Sequence, residues 1–420
     1  MKPKLFNTHA NDLEPKEIVR PWKQIELDPE YAGAWFVAGD LDGDGEVEIA
    51  SARNVNQDDN HYTCSVIAYR LDGRVLWRWG DPGIGRSALH HDVGCQIHDW
   101  DGDGEQEVVV AGDREIIALS GATGKEKWRF PIPQHASDCV TFADLSGKGR
   151  PSEVLVKTRY TQIWAFDIQG KELWTVQEPA GFKTAHQARP IDIDGDGRDE
   201  IFAGYALLEG DGRIRWDLSD SGIPLERGHL DCARLFHRAD SPTDTRVLIT
   251  CCGGDCIAML DGNGRLVWSQ RDHHLESIDI GKICSTVPGR QILVDIDHRP
   301  WGEGPLWVLS ETGEWLGQIM TDYCRHHFPI DWHGTGTESI MIGPTRCLFD
   351  ETGQKTVQFE TPDPPDYKST TCFKGDLTGN GLPDLMLSGN PNTICIFKNP
   401  RSDDPQEKVP LGTDANFTLY

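Results

Sequence analysis

The chain has 420 residues, with 67 acidic against 41 basic side chains and a formal charge of −26. Such an excess of carboxylate would be repelled by nucleic acid and by anionic lipid surfaces, so neither is an expected partner. No apolar run is long enough to cross a bilayer, and the first residues, MKPKLFNTHANDLEPKE, lack the apolar centre of a secretory signal. A cytoplasmic monomer with reduced thiols is the expectation, and its twelve cysteines show no zinc-type CxxC pairing.

In chain order, the first strand signal is VRPWKQIEL around Trp22, within residues 18–28. From residue 31 to residue 400 one unit then recurs at a spacing of roughly 50 residues. Each copy has an apolar strand, an Asp-x-Asp-Gly-Asp-Gly loop and a second apolar strand. The loop is complete in DLDGDGEVE from Asp40, DWDGDGEQE from Asp99 and DIDGDGRDE from Asp192. It is partly kept in DLTGNGLPD from Asp376, and decayed in DLSGKGRPSE from Asp144 and DWHGTGTES from Asp331. The spacing places two more copies near His237 and Ser285, where the acids are gone. The last strand of a unit carries Trp77, Trp128, Trp174, Trp216, Trp268 or Trp315, with Phe359 in the seventh.

Short strands of alternating polarity between Gly and Asp turns, repeated eight times, predict an all-β, eight-bladed β-propeller in one domain. The eighth unit lacks its own last strand. The N-terminal segment around Trp22 is therefore expected to complete it and close the ring, removing an exposed sheet edge. The polar tail, residues 401–420, is expected to pack loosely.

The complete loops are FG-GAP-like cation sites in composition. Calcium takes six to eight oxygen ligands, and carboxylates at alternate positions of a glycine-relaxed loop can surround it. The candidate ligands are Asp40, Asp42, Asp44 and Glu48; Asp99, Asp101, Asp103 and Glu107; Asp192, Asp194, Asp196 and Glu200; and Asp376, Asn380 and Asp384. In the Asp144 loop, Lys148 stands where a carboxylate would be and supplies an ammonium instead.

These loops follow the innermost strands, so they gather on one face of the disk while the strand starts gather on the other. Counting back from each loop, the starts carry His91, His186, His229 and Lys368 at even offsets, which points them to one side of their strands. His90, His135, Asp138, Asp231, His273, His274, His326 and His327 surround them. A wet channel lined by polar groups would explain any one of these. Together they make a local anion site on an acidic protein.

With those residues in view, the chain resembles the family 11 rhamnogalacturonan lyases. The resemblance rests on GDLDGDGEVEIASARN, on HHDVGCQIHDWDGDG through His91, and on RPSEVLVKTRY through Arg159 and Tyr160. It continues in AHQARPIDIDGDGRDEIFAGY through His186, GHLD through His229 and Asp231, and KSTTCFKGD through Lys368. The resemblance implies an eight-bladed propeller with bound Ca²⁺, an acidic oligo- or polysaccharide substrate, and Lys368 as the base. It makes Lys282 the counterpart of an assisting arginine and puts His327 at an asparagine-like position.

The implied reaction is β-elimination, in which a base removes the C5 proton of a uronic acid and the oxygen at C4 departs. Under this reading His229, Lys282 and a calcium near Asp231 hold the uronate carboxylate. Lys368 or a histidine, His91 or His186, takes the proton. Two alternatives remain at this stage: a lyase for another rhamnose and glucuronate polymer, of the ulvan or gum type, and a non-catalytic, calcium-stabilised propeller that binds glycans or proteins.

Overall fold

The computed structural model describes residues 6–57, 60–85, 94–225, 228–297, 302, 304–362, 371–390, 392–402 and 408–416. Eight sheets follow one another around a ring, each built from one repeat. Blade 1 consists of Trp35–Gly39, Glu48–Gln57, Asn60–Arg70 and Val75–Gly80, antiparallel throughout. The innermost strands of the other blades are Cys95–His98, Thr141–Ala143, Thr184–Ile191, Leu230–His237, Leu275–Gly281, His327–Ile330 and Cys372–Gly375.

Burial follows position in the blade. The second strands, such as Glu107–Ala111 and Glu153–Lys157, are buried at every residue because neighbouring blades cover both their faces. Outermost strands such as Leu266–Arg271 are almost wholly solvated. Apolar residues therefore meet between blades, and one cluster fills each of the eight joints. Indole groups tie the outer rim across these joints. Trp77, Trp174, Trp216 and Trp268 donate to carbonyls in the next blade's turn, Gly121 at 2.6 Å, Gly210 at 2.9 Å, Gly262 at 3.1 Å and Glu311 at 2.9 Å. The turn lies so close that a Cβ on Gly264 would sit 2.6 Å from the Trp216 ring. In blade 2 the expected Trp128 does not take this role. It leans on Trp100 with ring centroids 5.6 Å apart, and Phe130 receives the turn at Gly170 instead.

The N-terminal segment closes the ring. Lys23–Glu26 pairs antiparallel with Thr393–Ile396 as the last strand of blade 8, and the N–H of Trp22 donates to Ile396 at 2.8 Å. The same segment does more than the sequence suggested. Phe6–His9 adds a parallel strand to blade 6, and Glu17–Val19 adds one to blade 7, so it straps three outer edges in succession.

Of the C-terminal residues, the described stretch 408–416 is tied down by hydrogen bonds. Residues 408–416 cross the axial opening on the acidic-loop face. The N–H of Gly412 donates to Asp376 in blade 8 at 2.8 Å, and that of Thr413 to Ala38 in blade 1 at 2.7 Å. Asn416 bonds the backbone of Phe142 in blade 3 in both directions at 2.7 Å. Behind this plug lies a cavity of about 750 Å³, walled by Arg189, Arg234, Asp279, His327 and Lys374 among others.

Ile25 is fully buried, whereas Ile18 on the strap is 63% exposed. Ile25→Ala is expected to cost about 2–5 kcal/mol, and Ile18→Ala less than about 0.5 kcal/mol. Urea unfolding of the two variants measures both.

Candidate functional site

On the acidic face the three complete loops fold alike. The oxygens of Asp40 accept N–H groups from Gly43 at 2.8 Å and Gly45 at 3.0 Å, and those of Asp99 accept from Gly102 at 2.8 Å and Gly104 at 3.2 Å. The ninth residue returns buried from the next strand: Glu48, Glu107 and Glu200 accept from Leu41, Trp100 and Ile193 at 2.9, 2.9 and 3.0 Å. Asp40, Asp42 and Glu48 thus bring oxygens within 4.8 Å of one another, as do Asp99, Asp101 and Glu107, and Asp192, Asp194 and Glu200.

A cationic side chain from a strand of the same blade sits among each trio. Arg70 pairs with Asp42, with Asp44 at 3.0 Å and with Glu48 at 3.1 Å. Lys127 reaches Asp101 at 3.0 Å, Asp103 at 3.0 Å and Glu107 at 2.6 Å. Arg215 reaches Asp194 at 2.8 Å and Glu200 at 3.0 Å. Burial, then Asp42 and Asp44, still push Glu48 up to about 7 despite Arg70. Lys148 behaves as expected, 3.0 Å from Glu153. The Asp376 loop is satisfied internally. Gly379 and Gly381 donate to Asp376 at 2.7 Å each, Leu377 donates to Asp384 at 3.1 Å, and Asn380 accepts from Leu382 at 2.9 Å.

At the opposite mouth, three consecutive inner strands carry a register shift: between Thr184 and Arg189, between Leu230 and Ala233, and between Leu275 and Ile278. Bulges re-aim side chains, and these three hold His186, Asp231 and Glu276. His186 and His229 meet with ring centroids 4.5 Å apart, and Tyr160 covers both, at 5.4 and 4.4 Å. Asp231 Oδ1 lies 3.0 Å from His229 Nε2 and 3.7 Å from His186 Nε2. Asp231 is buried, and neither of its oxygens accepts a hydrogen bond from the described residues. Burial, then Glu276, hold its carboxyl well above the usual range, while burial, then His186, push the His229 imidazole down to about 2.

Two buried ionic groups flank this centre. On one side Asp138 meets Lys157 at 3.1 Å, His61 at 2.6 Å and Arg159 at 3.6 Å, and Arg159 also lies over the Tyr160 ring. On the other, Glu276 meets His274 at 2.7 Å and also pairs with Arg325, which reaches Asp297 at 3.0 Å. Burial would raise Glu276, but Arg325 and His274 outweigh it and hold the carboxyl at about 2.

Comparison with known proteins bears on this arrangement. Residues 27–125 match the model of the rhamnogalacturonan lyase family 11 C-terminal domain. The rhamnogalacturonan endolyase YesW of Bacillus subtilis is 28% identical over 365 residues, covering 70% of this chain and 55% of that protein. The exolyase YesX of the same organism is 26% identical over 259 residues, covering 47% of this chain and 42% of its own length. Over these stretches the chain is similar to the family 11 rhamnogalacturonan lyases. It spans about half the length of these two curated relatives. The structure of the Bacillus licheniformis rhamnogalacturonan lyase PL11 superposes with a TM-score of 0.65 at 18% identity, covering 92% of this chain and 77% of that one, so the two share a fold.

Set against the family 11 resemblance, the structure gathers His186, His229, Asp231, Arg159 and Tyr160 at one mouth. His327 lies deeper in the channel, 3.4 Å from Asp279 and 3.5 Å from Asp295. His91 and Lys368 fall outside the described residues. Lys282 requires correction. It follows the end of its inner strand, Leu275–Gly281, so it sits on the acidic face, exposed, with its backbone tied to Glu338 at 2.7 Å. His274 and Glu276 occupy the mouth end of that strand, and Arg325 supplies the guanidinium there. Sequence reasoning missed Glu276, Arg325, Lys157, His61 and Cys252. The start-of-strand rule that found His229 would also have found Glu276 and Arg325. Lys157 and His61 come from second and third strands, where no such rule applies.

His326 is buried in the channel wall, and burial, then Arg325, push its pKa down from 6.5 to about 3. Between those values the unfolded chain binds a proton that the folded chain does not, so stability falls as pH drops through that window. His326→Gln is expected to flatten this acid-side loss, as read from urea midpoints over a pH series.

Proposed function

We propose that this mouth is the active site of a polysaccharide lyase that cleaves a rhamnogalacturonan-like, uronate-containing glycan by β-elimination. The observation that carries the reading is the buried convergence of His186 and His229 on Asp231, whose oxygens accept no hydrogen bond from the described residues, in a chain whose curated relatives are named rhamnogalacturonan lyases. A buried carboxylate in that condition is stable beside a cation and costly without one.

His186, His229 and Asp231 would hold a divalent cation at this point. When bound, it would neutralise the uronate carboxylate and so acidify the C5 proton. The chain's own groups do the rest. Tyr160 packs edge-on against His186 and at a tilt over His229, which restrains both imidazoles, while Arg159, held by Asp138, presents a positive edge to an acidic glycan. Lys368, assigned as base by the resemblance, or a histidine of the mouth removes the proton at C5. The C4–O bond then breaks as the C4=C5 double bond forms, and no water is consumed.

Calcium at the three complete loops belongs to the same proposal in a structural role. The oxygens and their spacing suit a hard cation, and the positions held by Arg70, Lys127 and Arg215 are the ones it would take. Ion and side chain therefore compete. In Lys127→Met, Glu107 loses its ammonium, and the expected result is a lower thermal midpoint that Ca²⁺ restores, with a larger Ca²⁺-induced rise than in the parent protein.

Incubation with rhamnogalacturonan, ulvan and gum-derived oligosaccharides, followed at the ultraviolet absorbance of unsaturated uronate, tests the activity. Rhamnogalacturonan should give product, and Asp231→Asn and His229→Ala should each slow it by about 10²-fold or more. Product in none of the three, from protein with native circular dichroism, would reject elimination chemistry.

A further inference from the structure

Asp231 belongs to two sets of donors. One is the imidazole set with His186 and His229; the other is Asp231, Cys252 and His274, whose donor atoms also lie within 4.8 Å of one another. We infer that this second set is a separate metal position for a softer divalent cation of the Zn²⁺ or Co²⁺ class, with the Asp231 carboxylate shared between the two ions. The assignment rests on reading the mouth as a cation site, as proposed above.

The chemistry of the donors separates it from calcium. A thiolate, an imidazole and one carboxylate suit borderline transition ions, whereas calcium requires a shell of oxygens. Cys252 is also set apart from the other cysteines: all eleven of those are buried, and it alone is partly accessible. It stands just past the strand Arg246–Cys251, where its N–H bonds the His229 carbonyl at 3.0 Å, so the backbone fixes the thiol beside the imidazole set.

The outer shell is in place as well. His274 Nε2 is 2.7 Å from Glu276 Oε1, and Nδ1 turns to Cys252 Sγ at 3.6 Å. A carboxylate on one ring nitrogen with the other turned to the metal position is how ligating histidines are oriented. Arg325 and His274 both engage Glu276 Oε1, whereas neither oxygen of Asp231 has a hydrogen-bond donor among the described residues, which makes Asp231 the acid most available to an ion. His274 adopts a φ of 23°, a conformation costly for a residue with a side chain, and this places its ring over Cys252.

The test uses the full chain, stripped with chelator, supplied with excess Ca²⁺ to fill oxygen sites and then titrated with Co²⁺. A thiolate-to-cobalt charge-transfer band in the near ultraviolet is expected, with two tightly bound cobalt ions per chain. Cys252→Ser and His274→Ala should each lose the band and one equivalent, while His186→Ala, which touches only the imidazole set, should keep the band. Absence of the band in the parent protein, or its persistence in Cys252→Ser, overturns the assignment. Loss of elimination on every uronate with the band intact would reject the lyase reading alone, and elimination without any band would reject the thiolate position alone.

Discussion

Four backbone pairs between Lys23–Glu26 and Thr393–Ile396 hold the disk closed, and the geometry of the mouth depends on that closure. Inner strands can converge on an axis only if every blade has a neighbour on each side. Without the N-terminal strand, blade 8 would present an open edge and its joint with blade 1, where Phe373 packs on Trp35 and Phe36, would be free to splay. Strapping blades 6 and 7 on the way spreads the load over three joints. The result is a frame rigid enough to keep buried, poorly solvated groups such as Asp231 in one place, which flexible loops do not achieve.

The two faces deal with charge in opposite ways. On the acidic face each carboxylate trio has an intrablade cation, and arginines add a second tier across the joints. Arg150 reaches the carbonyls of Trp100 and Asp101 at 2.8 and 3.0 Å, Arg238 reaches Asp192 at 2.7 Å, and Arg401 reaches Asp331 at 2.5 Å. The loop carboxylates are thus paired locally, and the net charge of −26 is what remains once these cations are counted. On the mouth face the ionic groups are buried, and Asp231 at the centre has no hydrogen-bond donor among the described residues. Ion-paired carboxylates on either side flank one that is not hydrogen-bonded, the pattern expected where a ligand completes the set.

The ring and its eight units were legible because a repeat multiplies a weak strand signal, and because Trp and Asp-Gly punctuation marks each strand's place in the blade. The mouth was legible in part, since a residue at the start of an inner strand can be placed by counting back from its loop. Lys282, assigned through the resemblance, could not be checked by counting because the sixth unit has lost its loop acids, so nothing marked where the inner strand stops. Bulges were invisible too, yet they aim His186, Asp231 and Glu276. Cys252 gave no signal in the sequence, since the turn that sets it against His274 is a tertiary fact. The comparisons reach the fold, whereas Cys252 and His274 are features read from this chain alone.

Residues 408–416 alter what the central bore can be. Bonded to blades 1, 3 and 8 at the acidic rim, they lay a stretch of backbone over the bore on that side. A segment remote in sequence from blades 1 and 3 thus ties them to blade 8, so loosening this short stretch would free three blades at once.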